Sequence, residues 1–292
     1  MKDFRETIEI GRTGLTTSRL GIGSTFNASA SVIEEAFEQG VNYLYWGTVR
    51  QPGFAEAMRN IERSQRDKAI FTIQSYSNDS GTIEKEVEDA LRAAGVQRFD
   101  FLLLGNRMSV PDESYVEVFH RLRDRDIVRY LSLSSHNRPL VPTFIADYEG
   151  NESPYDFLML RYNAVHRGAE TDVFPFVSPD KPHPTIQVYT ATRWGHLLDP
   201  TKMPPGEAPV SARDCYRYSL SHDAVDMILC GPANRAQMQE AIAALDKGPL
   251  DADERERIER IGKHLYAQYA PAYPDAGDAP DVASGLAAST AS

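Results

Sequence analysis

A phenol and a guanidinium stand close together in the stretch GVNYLYWGTVRQPG, at Tyr45 and Arg50. A phenol is a poor acid at neutral pH, with an ordinary pKa of about 10. A positive charge beside it favours the phenolate and eases release of the proton. Tyr45 and Arg50 are therefore candidates for proton transfer, and Arg50 also for contact with a ligand. The other reading of Tyr45, with Trp46, is a core aromatic, since aromatics in strands serve packing more often than catalysis. His136 and His166 read either as hydrogen-bonded loop histidines or as substitute proton donors. Asp214 and Asp226 have no histidine at ligand spacing, so no metal site is expected, and Glu170 and Asp172 read as a solvated helix start.

These residues need elements to position them. GVN closes a helix and opens a strand, Tyr43 to Trp46 has strand chemistry, and Gly47 breaks it. Other strands are expected at 19–24, 69–73, 99–105, 127–135, 156–162, 185–190 and 224–231. Amphipathic helices fall between them, at 54–64, 83–94, 113–123 and 140–148, with another at 236–245. Ser31 and Glu34 form a capping-box pattern that starts an earlier helix running to Gln39. Near-continuous apolar strands alternating with helices imply a parallel sheet buried on both faces. Eight such strands, with no early Gly-x-Gly-x-x-Gly turn, predict an α/β TIM barrel, (β/α)8, rather than a Rossmann fold. A small hairpin at 6–14 precedes it and an extra charged helix at 251–269 follows it. Residues 1–269 are expected to form one domain; from Ala270 the chain is rich in Ala, Pro, Asp, Gly and Ser, and 270–292 is expected to be disordered.

Composition narrows the function classes. The chain has 292 residues, and 31 basic against 42 acidic ones leave a net charge of −11. That balance argues against nucleic acid as a partner, so any anionic ligand needs a local positive patch. Cys215 and Cys230 fit neither a disulfide framework nor a metal spacing and read as buried residues in a reducing compartment. No run approaches the roughly 18 to 20 apolar residues that cross a bilayer. A cytoplasmic protein with no membrane partner is expected.

Taken in order, GRTGLTTSRLGIGS, GVNYLYWG, RDKAIFTIQ, FDFLLLG, VRYLSLSS and GPANRAQMQEAIAAL resemble the aldo-keto reductase family over most of residues 8–245. The resemblance implies an NADPH-dependent oxidoreductase that interconverts a small-molecule carbonyl and alcohol, as a monomer or loose homodimer. It also implies that the hairpin plugs the bottom of the barrel. In the family a tyrosine gives the proton, tuned by an aspartate, a lysine and a histidine. Here the aspartate position is Tyr45, the tyrosine position Arg50 and the lysine position Gln74. The histidine falls at Gly105, with Asn106 one step away. The catalytic set is then Tyr45, Arg50, Gln74 and His136, with a non-standard proton donor.

For the cofactor, the resemblance assigns the carboxamide contacts to Ser134 and Ser135, where Ser135 keeps a donor, and puts Met159 in place of the usual glutamine. It gives ring stacking on the nicotinamide to Tyr189, and the pyrophosphate loop to the stretch with Thr190 and Arg193. Gly231, Asn234 and Arg235 fall where the 2′-phosphate is held, and Gln237 at an adenine contact. The usual asparagine near Ala241 is absent. Gly23 and Ser24, ending the first strand, complete the set. For the segment after the eighth strand the bland alternative is a plain helix start. Two other functions stay open: a catalytically silent nucleotide-binding or scaffold relative, and a non-redox isomerase or lyase with Tyr45 or His136 as acid or base.

Overall fold

The computed structural model describes residues 2–47 and 49–269. The stretch expected to be disordered, 270–292, lies outside them. A short antiparallel hairpin, β1 (Ile8–Glu9) with β2 (Thr16–Thr17), precedes eight parallel strands. These are β3 (Leu20–Gly23), β4 (Tyr43–Trp46), β5 (Ile70–Ser75), β6 (Phe99–Leu104), β7 (Val128–Ser134), β8 (Tyr155–Arg161), β9 (Thr185–Tyr189) and β10 (Met227–Cys230). The last pairs with both β9 and β3 and closes the barrel. The (β/α)8 barrel, its leading hairpin and its extra C-terminal helix are those the strand count and periodicity predict.

Helices α1 (Ala30–Glu38), α2 (Pro52–Gln65), α3 (Ser80–Ala94), α4 (Glu113–Asp124) and α5 (Val141–Glu149) follow successive strands. The short α6 (Ala169–Asp172), then α7 (Ala212–Leu220), α8 (Arg235–Lys247) and α9 (Ala252–Tyr269) complete the chain. Their ends have local causes. Asp79 accepts from Gly81 N at 3.1 Å to start α3, and Gly95, at φ 67°, ends it in the left-handed region. Ile83, Val87, Ala90 and Ala94 recur at helical spacing and are the buried face of α3. The capping box read at Ser31 does not form. Extended Ser29 opens α1, its carbonyl accepting from Val32 N at 3.1 Å, while its hydroxyl bonds Ser31 Oγ.

Strand alternation divides the core into two layers. Leu44 and Trp46 face the helices, whereas Tyr43 and Tyr45 lie in the barrel interior with Phe101, Leu103, Phe157 and Met159. Ile10, from the hairpin, is buried in the same interior cluster, and Tyr130 donates to Thr13 O at 2.9 Å to hold the hairpin there. At the far end of the chain, α9 docks so closely that a Cβ on Gly262 would stand 2.1 Å from Ala164 O. That contact anchors the loop after β8. No helix among the described residues is long and apolar enough to cross a membrane.

Candidate active site

In a closed parallel barrel the strand ends and the loops after them form the site. At the ends of β4 and β5, the Tyr45 hydroxyl donates to Gln74 Oε1, and both side chains are buried. Burial pushes the Tyr45 phenol well above its ordinary pKa, and the neighbouring phenols of Tyr76, Tyr43 and Tyr189 add to the rise. Arg50 does not lower it, contrary to the sequence expectation. Its guanidinium lies 5.4 Å from the ring of Trp46, which alternation turns to the opposite face of β4 from Tyr45. The Tyr45–Gln74 bond occupies the positions where the resemblance puts an aspartate and a lysine. Where the resemblance implies a charged pair, this chain has a neutral hydrogen bond.

Gly105 packs against this pair. A Cβ there would stand 2.4 Å from Gln74 Nε2 and 2.7 Å from the Tyr76 ring, so no side chain fits without displacing them. Beside this set lies a cavity of about 380 Å³ bordered by Arg50, Gln74, Ser75, Tyr76, Ser77 and Glu86. Ser75 donates to Glu86 Oε2 at 2.5 Å. Burial pulls the Arg50 pKa down, opposed by the carboxylates of Glu86 and Asp89.

On the other side of the mouth, several side chains assigned to the cofactor bind their own protein. Ser134 Oγ accepts from Asn106 N at 2.8 Å. The donor that Ser135 was expected to keep is engaged, because its hydroxyl donates to Arg107 O at 2.6 Å. These serines lash the loops after β6 and β7 together. Ser24 acts alike between the loops after β3 and β4, donating to Val49 O at 2.7 Å and accepting from Gly47 N at 3.1 Å. Gly23, beside it, has Cys230 O and the Tyr45 ring at ordinary contact distance from a Cβ, at 3.5 and 3.6 Å.

His136 and Tyr189 meet across the mouth. The Tyr189 hydroxyl and His136 Nε2 share a hydrogen bond of 2.9 Å, with the two rings edge to face. Burial, followed by the cations of Arg161 and Arg138 and by His166, pushes the His136 pKa down to about 4. The imidazole is neutral at pH 7. Burial raises Tyr189 above the ordinary phenol range.

Three residues at this end were not singled out from the sequence: Arg161, Asn163 and Tyr76. Arg161 is buried at the end of β8, in register with Tyr189. A lone arginine closing the apolar run DFLML was its signal. Asn163 donates to Thr190 O at 2.8 Å and accepts from Val165 N and His166 N, which joins the loops after β8 and β9. His166 is buried, with its ring against Tyr266. Glu170 and Asp172 are not a solvated start: Glu170 takes Arg167 at 2.7 Å and Tyr162 at 2.8 Å, and Asp172 takes Arg138 at 2.9 Å.

The loop after β9 carries backbone strain. Thr190, Arg193 and Trp194 have φ of 58°, 54° and 51°, and Gly195 follows at 85°. Non-glycine residues in this region are uncommon and gather at ligand sites. Arg193 is 1% exposed, with its guanidinium 4.7 Å from the Trp194 ring. Its charge stays inside the loop instead of facing solvent. At the start of α8, Asn234 accepts from Gln237 N at 3.1 Å, and Gln237 accepts from Ala233 N at 2.7 Å, so both amides serve the helix start. Arg235 is exposed and pairs with Glu35 at 2.9 Å. At Gly231 the close neighbour is Phe26, whose ring lies 2.9 Å from the place of a Cβ. Among the described residues no group of three or more His, Cys, Asp or Glu is arranged to hold a metal ion.

No family model and no curated protein matches the sequence. Solved structures do match. An aldo-keto reductase from Bacillus halodurans in its holo form is similar at a TM-score of 0.70 and 20% identity, covering 88% of this chain and 96% of that one. Its apo form gives a TM-score of 0.68 at 20% identity, with the same 88% and 96% coverage. An aldo-keto reductase from Klebsiella pneumoniae, in complex with NADPH, gives 0.71 at 17% identity, covering 89% and 95%. The barrel and its leading hairpin have the fold of these aldo-keto reductases.

Proposed function

We propose that the protein is an NADPH-dependent oxidoreductase of aldo-keto reductase type that interconverts a carbonyl and an alcohol, with Tyr45 as proton donor. The Tyr45–Gln74 hydrogen bond carries this reading, because it holds a phenol at the strand ends where the proton is needed. The cofactor half fits in part. The Tyr189 ring, the strained loop 190–195 and the start of α8 with Arg235 would hold the dinucleotide, while the hydroxyls of Ser134 and Ser135 serve the protein. When bound, NADPH supplies the hydride that adds to the carbonyl carbon.

The remaining work falls to this chain's side chains. At rest the Tyr45 proton is donated to Gln74 Oε1; as the carbonyl oxygen becomes an alkoxide that hydrogen bond breaks, the proton passes to the alkoxide to form the alcohol, and Tyr45 is left as a phenolate. An alkoxide is a stronger base than a phenolate, so a raised phenol pKa slows the transfer without forbidding it. Gln74 holds the hydroxyl in place, and His136 holds the Tyr189 ring by its hydroxyl. Positioning then carries most of the rate.

A second reading has its own support: the positions of the family's charged pair are neutral here, and burial and the neighbouring phenols weaken the acidity of Tyr45. On that reading the protein is a silent nucleotide binder. Titration of the purified protein with NADPH and then NADH, followed by Trp fluorescence, tests the cofactor. A panel of carbonyl compounds, followed by NADPH oxidation, tests turnover. Binding with oxidation supports the enzyme; binding without it supports the silent binder; no binding of either nucleotide overturns both.

A further inference from the structure

The geometry points to Arg50 as the anchor for a carboxylate on the substrate, making that substrate a carbonyl compound with an acidic group on an apolar body. The inference rests on the oxidoreductase reading above and adds the substrate class. Among the described residues, the Arg50 guanidinium has no hydrogen bond or ion pair of its own. It is half-buried beside Trp46 and borders the same cavity as Gln74, the partner of Tyr45. A guanidinium presents five donors in a planar fork that matches a carboxylate.

The two serine hydroxyls of the cavity are engaged. Ser75 donates to Glu86, and Ser77 donates to Asp79 O at 2.9 Å. Arg50 is thus the cation that borders this space, with the Gln74 amide next to it. Glu86 also borders the cavity, and Asp89 acts on Arg50 from α3. Their negative charges oppose a dianion more than a monoanion, which favours carboxylate over phosphate. The volume of about 380 Å³ is at the small end of ligand sites. Around the mouth, Phe26, Tyr76 and Trp194, each on a loop after a barrel strand, are 50%, 45% and 43% exposed. Such a rim suits an aryl or alkyl body.

Calorimetric titration of the full protein with benzoate and with its neutral analogue benzamide tests the anchor without relying on turnover. Benzoate is expected to bind at least tenfold more tightly than benzamide. Arg50→Met should remove that preference, Arg50→Lys should retain part of it, and added salt should weaken benzoate alone. Thermal melts of the variants show that the fold is kept. Equal affinity for the two ligands, or unchanged benzoate affinity in folded Arg50→Met, overturns the inference. Oxidation of NADPH by neutral aldehydes without a benzoate preference removes the anchor and leaves the oxidoreductase. A benzoate preference lost in Arg50→Met without any NADPH oxidation keeps the anchor and removes the redox reading.

Discussion

Gly105 and Gln74 fit together only because Gly105 lacks a side chain, since a Cβ there would stand 2.4 Å from Gln74 Nε2. The Gln74 amide cannot swing aside freely while its Oε1 accepts from Tyr45. Gly105→Ala should therefore destabilise the fold by about 1–3 kcal/mol, the usual cost of overpacking. Combined with Gln74→Ala, the loss should fall short of the sum of the two single changes, because they share one contact. Urea denaturation of the four proteins measures both quantities. Additive losses would mean that the two residues do not constrain each other.

Tyr45→Phe keeps the ring and removes the donor. Turnover should fall by about 10²–10⁴-fold, the range of a lost general acid, while NADPH affinity is held. Steady-state rates and a fluorescence titration read the two effects separately. Unchanged turnover would exclude Tyr45 as the acid.

Arg235 divides its charge between solvent and Glu35. Arg235→Ala should weaken NADPH by about tenfold more than NADH, since a guanidinium adds a charge-assisted bond only to the 2′-phosphate. Glu35→Gln should tighten NADPH a few-fold by releasing Arg235. Parallel titrations of both nucleotides check this, and equal losses would remove Arg235 from the phosphate site.

The fold holds the His136 pKa near 4, against an ordinary 6.5. As pH falls through 6.5, the unfolded chain takes up a proton that the native chain refuses. The neutral His136 thus contributes stability that is intact above pH 6.5 and is lost progressively between 6.5 and about 4. Thermal melts across that window should show a shallower decline for His136→Gln than for the unaltered protein. Identical slopes would show that His136 is not held neutral.

The barrel was legible in the sequence because its signals are local. Apolar runs of strand length and Gly95 closing α3 each follow from neighbouring residue types, whereas the first turn of α3, opened by Asp79, was missed because the apolar repeat begins only at Ile83. The start of α1 was misplaced because Ser29 and Ser31 are both good cap residues, and backbone conformation decided between them. The strand-end positions of the candidate site residues were legible, but not the bonds they make. Ser24, Ser134 and Ser135 lie at strand ends as expected, yet their hydroxyls meet carbonyls and amides from loops far along the chain. The direction of Arg50 was misread for a similar reason: its ring partner Trp46 and the phenol of Tyr45 leave β4 on opposite faces.

The neutral bond between Tyr45 and Gln74 also sets how this mouth can change. Tyr45→Asp alone would bury a carboxylate against an amide, and Gln74→Lys alone would bury an ammonium against a phenol. Either leaves an unpaired interior charge, at a cost of several kcal/mol. Either single change toward the charged pair that the resemblance implies therefore passes through a weaker protein, and the Gly105 position has no room for a histidine until Gln74 and Tyr76 have moved. The mouth behaves as a latch: charges can enter these two positions only in concert.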